Sequence, residues 1–377
     1  MNLRTMITYF VTVPVVASAA LASFPAYTLP SLPTDEIRIG VMAPLTGDYA
    51  SAGEEIQRGI SLASEQLASE GIKVKVTFEN ACLPAQGVAA LRKMVDNDSI
   101  DAVASNYCVI TLNAIQPLLE RLNLITFQNS SVAEQLVQTS PYIYTTWPSI
   151  EAEVAAIAQA IGDSAIQRPA LIYLESPWGE GYAQAFRNLL SQRGIKLNVD
   201  LSQGFDVHDF RSEVTKIQAA KSSSALIAHT GSVMASFLKQ AVAMNIPGNS
   251  LFVPSDNDDQ AIVNAAGRAA EGVSLFSTEG PSDTPGRALF RAAYEKRFNR
   301  APDPLSRHAH DELIIVVRAL HACKKDVTCT RSHIAGVKDF DGASGSFSMN
   351  SRRIPERALY RKQVKDGAFR LVDSTRR

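Results

Sequence analysis

The chain has 377 residues, more than one hydrophobic core usually serves, so two domains are expected. Its 37 Lys+Arg against 38 Asp+Glu leave a formal net charge of −1, with 20% charged and 46% apolar residues. That balance is typical of a water-soluble protein and gives no basis for a nucleic-acid partner, which would require a strongly basic surface.

Residues 1–22 read as a signal peptide. Arg4 supplies the positive end, Ile7 to Ala22 is apolar and rich in small residues, and Ala20-Leu21-Ala22 fits a cleavage site that leaves Ser23 first. Pro14 interrupts the run, whose apolar part is shorter than the ~20 residues of a membrane span. No cysteine lies near the cleavage region, so no lipid anchor is expected, and no later segment is apolar for long enough to cross a bilayer. The mature protein is therefore expected in an exported compartment, where cysteines usually pair. Of the three possible connectivities, spacing favours the two local ones, Cys82 with Cys108 and Cys323 with Cys329. Neither pair has the Cys-x-x-Cys spacing of a thiol oxidoreductase.

From Asp35 onward, short β-branched runs alternate with amphipathic stretches, the pattern of an α/β protein with parallel sheet and crossover helices. Ile37 to Ala43 reads as a strand, followed by Ile56, Ile60, Ala63 and Leu67 at helical spacing and a strand at Val74 to Phe78. A helix with Val88, Leu91 and Val95 inward leads to a strand at Ala102 to Ser105. A helix with Leu112, Ile115, Leu119 and Leu122 inward then leads to a strand at Leu124 to Phe127.

The extended stretch Tyr144 to Pro148 is read as a first crossing between lobes, because a fresh alternation follows it. Val154, Ile157 and Ile161 mark a helix, Ala170 to Leu174 a strand, and Tyr182, Phe186 and Leu189 a helix, with strands at Ala225 to His229 and Leu251 to Val253. Val273 to Ser277, then Gly280, Pro281 and Pro285, read as a second crossing, after which helices resume at Leu289 to Phe298 and Leu313 to Ala322. Ala358 to Val372 reads as a hairpin whose turn is Asp366-Gly367.

Parallel sheets bind ligands at the carboxyl ends of their strands. The loops expected to line a cleft are therefore Ala43 to Gly53, Ser105 to Asn113, Phe127 to Ala133, Glu175 to Gly181, Thr230 to Met234, and Pro254 to Gln260.

Four segments, in order and spacing, resemble the branched-chain amino-acid (Leu/Ile/Val) binding proteins, solute-binding proteins of ABC transporters: IRIGVMAPLTGDYASAGEEIQRGISLA, FENACLPAQGVAALRKMVDNDSIDAVASNYC, ALIYLESPWGEGYAQAF and HAHDELIIVVRALHAC. The resemblance covers nearly the whole mature chain. It implies two Rossmann-like lobes of the periplasmic binding protein type I, joined by three hinge crossings near Thr146, Ser277 and Ile354 and closing around a ligand. Lobe 1 would comprise 35–146 and 278–354, and lobe 2 would comprise 147–277 and 355–377.

Carried over position by position, the family's ligand contacts fall as follows. Val109 stands where a serine usually meets the ligand carboxylate, with Thr111 two residues on. Ser130 keeps the hydroxyl of the next turn, with Gln128 where a small residue is usual. Trp178 is the aromatic before Gly-Glu-Gly, able to stack on the ligand. Ser232, beside Thr230, replaces a frequent tyrosine. Ser255 stands at the position of the acid that pairs with a ligand ammonium, with Asp256 immediately after it, so a one-residue shift of the loop decides between them.

The implied function is capture of a small solute, whether an amino acid, an amide or a small carboxylate, in the periplasm and its delivery to an inner-membrane ABC permease. The alternative is a ligand-sensing module that reports to a partner receptor. No Gly-x-Ser-x-Gly elbow, P-loop or His-Glu-x-x-His occurs, so no catalytic residues are assigned and an enzyme is not expected. His308 and His310 lack a clear third ligand and are expected to lie exposed at a helix start. Asp256-Asn257-Asp258-Asp259 lacks EF-hand spacing. Neither metal nor cofactor is therefore expected.

Overall fold

The strand–helix alternation builds two sheets. The computed structural model describes residues 36–47, 49–205 and 207–372, and the expected signal peptide, 1–22, lies outside them. The first lobe runs through β1 (Ile37–Ala43), α1 (Ala50–Ser69), β2 (Val74–Asn80), α2 (Pro84–Asp98), β3 (Ala102–Asn106), α3 (Val109–Leu122), β4 (Thr126–Gln128), α4 (Glu134–Gln138) and β5 (Ile143–Tyr144). The second takes α5 (Ile150–Ala165), β6 (Pro169–Leu174), α6 (Pro177–Gln192), β7 (Val199–Gln203), α7 (Arg211–Ala219), β8 (Ser224–Ala228), α8 (Gly231–Ala243), β9 (Leu251–Phe252), α9 (Gln260–Ala266) and β10 (Ser274–Ser277). The chain then returns to the first lobe through α10 (Pro285–Phe298), α11 (Pro304–Ala322) and α12 (Val327–Ala335). It adds a small sheet of β11 (Phe340–Gly342), β12 (Gly345–Met349) and β13 (Pro355–Glu356), and finishes on the second lobe with β14 (Tyr360–Lys365) and β15 (Ala368–Leu371).

The first sheet has the order β2-β1-β3-β4-β5 and is parallel throughout. The second has the order β15-β14-β10-β9-β8-β6-β7, parallel from β6 to β10, with the final hairpin antiparallel at its edge. That hairpin turns at Asp366 and Gly367, at φ 52° and 72°, which the Asp-Gly pair accommodates. Strand order reverses between β1 and β3 in one sheet and between β6 and β8 in the other. Loops diverge at such switch points and leave a crevice.

The second disulfide, Cys323–Cys329, closes the turn between α11 and α12, with Cα atoms 5.6 Å apart. Leu122, expected inward, is 39% exposed at the last position of α3.

Helix α11 corrects another expectation. His308 and His310 are buried, at 1% and 7% exposure, because α11 is packed on every side over its first turns. Burial obliges their rings to find partners: His308 Nδ1 lies 2.8 Å from Thr146 Oγ1 with the ring stacked on Trp147, and His310 bridges Asp311 and Gln66. The same helix joins the crossings. Arg357 donates to the Thr146 carbonyl (2.6 Å) and the Ser344 carbonyl (2.7 Å), while Arg287 donates to Thr278 O (2.7 Å) and the same Ser344 O (2.8 Å). Asp311 accepts the Ala343 and Ser344 N–H groups at 2.7 and 2.8 Å. Lys362 links Asp258, at 2.7 Å, to Glu279.

Close approach of α1 to α11 depends on Gly59, where a Cβ would stand 2.0 Å from the Ser306 carbonyl oxygen. Alanine is worth ~1 kcal/mol more than glycine inside a helix, but a backbone clash that separates two packed helices costs roughly 1–3 kcal/mol. Gly59→Ala is therefore expected to lower stability by about 1 kcal/mol or more, read as a lower urea midpoint. An unchanged or higher midpoint would show that the two helices separate freely.

Candidate functional site

The carboxyl ends of both sheets face one another across a cavity whose volume is about 60 Å³. On the scale where one buried water needs roughly 10–15 Å³, this is room for a few waters or one small solute. Each of the loops expected to line the cleft reaches it: Tyr49 after β1, Tyr107 to Ile110 after β3, Ser130 after β4, Ser176 and Trp178 after β6, Thr230 after β8, and Asp256 after β9. The lobes touch across it, with the Tyr49 ring 3.3 Å from the point where a Gly231 side chain would begin.

The walls are largely apolar, and no Lys or Arg is among the described residues that line them. The Cys82–Cys108 disulfide, Cα atoms 5.2 Å apart, forms one side and ties the end of β2 to the start of α3. Val109 and Ile110 follow it, and Leu174, Trp178 and Phe205 face them from the other lobe. Trp178 is held edge-on by Tyr182, ring centroids 4.9 Å apart. The two glycines after it serve packing: a Cβ on Gly179 would stand 2.0 Å from Leu174 O, and one on Gly181 2.9 Å from Ile150 Cδ1. Without those side chains α6 seats on the end of β6 and brings Trp178 into the cleft.

The polar groups are few and placed by buried hydrogen bonds. Asn106 Nδ2 donates to Gln128 Oε1 (2.6 Å), and Gln128 Nε2 donates to Ser130 Oγ (2.9 Å) and to the Tyr107 carbonyl (2.5 Å). Ser130 accepts there, so its own proton is left to be donated into the cavity. Thr111 donates to Asn106 Oδ1 (2.8 Å) and Cys108 O (2.6 Å) behind the wall. Helices α3 and α8 both begin at the cavity without a side-chain cap, so their first N–H groups are open to an anion. Beneath α8, the Thr230 N–H donates to His229 Nδ1 at 3.0 Å. Burial holds that ring's pKa down, to about 4, so it stays neutral.

Asp256 is the only acid among the described residues that line the cavity, and neither carboxylate oxygen makes a well-formed hydrogen bond, although the Trp178 side chain is near enough to favour its ionised form. Burial, reinforced by the negative charge of Glu153, raises its pKa well above the ordinary aspartate range. Glu153 itself stays behind the wall. It accepts from Ser131 Oγ of the first lobe, from Ser255 N (3.1 Å) and Oγ (2.8 Å), and from Tyr182 O–H (3.0 Å). These bonds fix the turn that aims Asp256 inward.

A profile of the periplasmic binding protein family matches residues 36–368. The chain belongs to the periplasmic binding protein family. An amino acid binding protein of Pseudomonas aeruginosa is 30% identical over 194 residues, spanning 49% of this chain and about half, 51%, of that relative. A Leu/Ile/Val-binding protein homolog of Brucella melitensis is 23% identical over 94% of both chains. Among solved structures, a leucine binding protein from Thermotoga maritima superposes with a TM-score of 0.82 at 18% identity, covering 89% of this chain and 97% of its own. An ABC transporter solute binding protein of R. palustris in complex with benzoate gives 0.81 at 18%, covering 89% and 95%. At such identities the superpositions establish the fold, two parallel-sheet lobes of the type I periplasmic binding protein.

Of the positions singled out from sequence, this periplasmic binding protein brings Val109, Ser130, Trp178, Thr230 and Asp256 to the cavity. Thr111, Gln128 and Ser255 are buried behind it as supports, and Ser232 is exposed on the first turn of α8. Tyr49, Tyr107, Ser176 and Phe205 also line it without having been singled out. Tyr49 and Tyr107 lie in loops the strand pattern marks; Phe205 follows β7, an edge strand whose half-exposed Val199–Gln203 run carries little apolar signal.

Asp256 has a consequence for stability. Its folded-state pKa lies above the unfolded value, so the folded protein holds a proton that the unfolded chain has lost. The contribution of this one group to stability is therefore greatest below the ordinary aspartate value and falls as pH rises toward the folded value. Asp256→Asn removes that loss. Its urea midpoint is expected to match the parent's near pH 4 and to exceed it at pH 8, by at least ~1 kcal/mol in unfolding free energy. Equal midpoints at pH 8 would mean that the carboxylate is solvated.

Proposed function

We propose that the protein is the periplasmic solute-binding component of an ABC importer, capturing an amino acid with an apolar side chain between its lobes and presenting it to an inner-membrane permease. The observation that carries the amino-acid reading is the unpartnered Asp256 carboxylate in an otherwise apolar cavity. A buried charge without a partner is costly, and a ligand ammonium supplies the partner. The uncapped starts of α3 and α8, with the Ser130 hydroxyl, suit the α-carboxylate, since helix N-termini bind anions without a cationic side chain. Val109, Ile110, Leu174, Trp178 and Phe205 suit an apolar side chain. The role is binding and release: hinge closure selects a ligand by its greater affinity for the closed state.

The aromatic walls support a second reading, an aryl carboxylate such as the benzoate bound by the R. palustris protein. In that case Asp256 would be protonated and donate a hydrogen bond.

The two readings have opposite pH signatures. Pairing with an ammonium requires ionised Asp256, so amino-acid affinity rises with pH through its titration, whereas an aryl carboxylate binds more weakly as pH rises. Titration calorimetry with leucine and with benzoate, on protein refolded to strip carried-over ligand, is expected to show leucine binding that strengthens with pH. Asp256→Asn is expected to lose about 100-fold or more, the equivalent of ~2.7 kcal/mol for an unpaired buried charge. Benzoate binding that weakens with pH, with no leucine binding, would overturn the amino-acid assignment.

A further inference from the structure

A second hollow, of about 230 Å³, lies beside the ligand cavity and is more open than it. Val132, Ala133 and Leu136 of the first lobe line it together with Ile150 and Pro177 of the second. Among the described residues, only Val109 and Trp178 border both spaces. They come from opposite lobes, at the first residue of α3 and the second of α6, and are buried at 5% and 9% exposure. The partition is held from behind by Tyr182 against the Trp178 ring. The inner space is the smaller, so the length of a bound side chain is set by where this wall stands. Behind the wall the lining is apolar except for Asn113, Gln135 and Thr139, with no charged group among the described residues that border it.

We propose that Trp178, set against Val109, limits ligand length in this protein, and that the hollow behind it is a latent subsite for the ring of an aromatic amino acid. The head-group placement rests on the function proposed above; the partition does not. A bulky ring reaches the hollow only when the wall is shortened, whereas a branched aliphatic chain stops in front of it.

The test compares leucine and tryptophan affinities by titration calorimetry in the parent, in Trp178→Ala, and in Trp178→Ala/Ala133→Leu, which fills the hollow from its far side. Trp178→Ala is expected to raise the tryptophan-to-leucine affinity ratio at least tenfold, and the added Ala133→Leu to reverse the gain. A ratio within threefold of the parent's, or a gain that survives Ala133→Leu, would overturn the proposal and leave Trp178 as a cover only. If the parent binds no amino acid, the head-group reading fails and the partition is read with indole, a probe that needs no head group. Indole binding to Trp178→Ala that is lost on adding Ala133→Leu supports the subsite. Indole binding equally to both variants, or to neither, refutes it.

Discussion

The passages between the lobes are pinned at one carbonyl oxygen, that of Ser344. It accepts from Arg287, from Arg357 and from the Thr278 hydroxyl, and Arg357 reaches on to the Thr146 carbonyl, so 145–149, 278–284 and 350–359 share one knot. Holding two guanidiniums there is unfavourable. Burial lowers the Arg357 pKa to about 9, with Arg287 and Arg307 adding repulsion that Asp311 offsets, and burial lowers that of Arg287 as well. Charge-assisted bonds to main-chain carbonyls make the arrangement stable and directional.

With the crossings fixed, the fold decides what meets in the cleft. Both sheets reverse their strand order, at β1/β3 and at β6/β8, and the loops from those two crevices supply Tyr49, Tyr107, Val109, Trp178 and Thr230. The cavity is therefore made of loop residues carried on rigid strands. The polar atoms in them are oriented by buried amides and acids, Asn106 and Gln128 on one side and Glu153 on the other. A buried network of this kind is worth its desolvation only when every member is satisfied. The Glu153 network meets that condition through Ser131, Ser255 and Tyr182, whereas Asp256 beside it does not.

What the sequence disclosed follows from the strength of local signals. Ile37–Ala43 and Pro169–Leu174 are buried on both faces, and such central parallel strands stand out as continuous apolar runs. Asp366-Gly367 discloses its hairpin because few residues adopt those backbone angles. The two-residue strand β5 has no period to detect, and the polar start of α11 looked like surface because its partners are distant in the chain. The loops bearing the site were legible from strand ends alone, since parallel sheets put their ligands there. Which of two adjacent side chains faces inward was not. Ser255 bonds to Glu153 while Asp256 enters the cavity, and the deciding contact is 102 residues away in sequence.

Under the amino-acid reading proposed above, Asp256 and Glu153 together bear on which occupant the cleft accepts. Asp256 at the cavity and Glu153 behind its wall are both buried, and burial raises the pKa of each, with the charge of Glu153 adding to the rise at Asp256. An ionised Asp256 there, with no cation beside it, carries an electrostatic penalty. On that reading, a solute that brings an ammonium would remove the penalty where the acid is buried, and would gain less wherever water already solvates it. A ligand shifts a two-state equilibrium only by its differential affinity for the two states. On the proposed reading the Asp256 carboxylate would therefore be the source of that difference, since apolar walls favour many solutes alike.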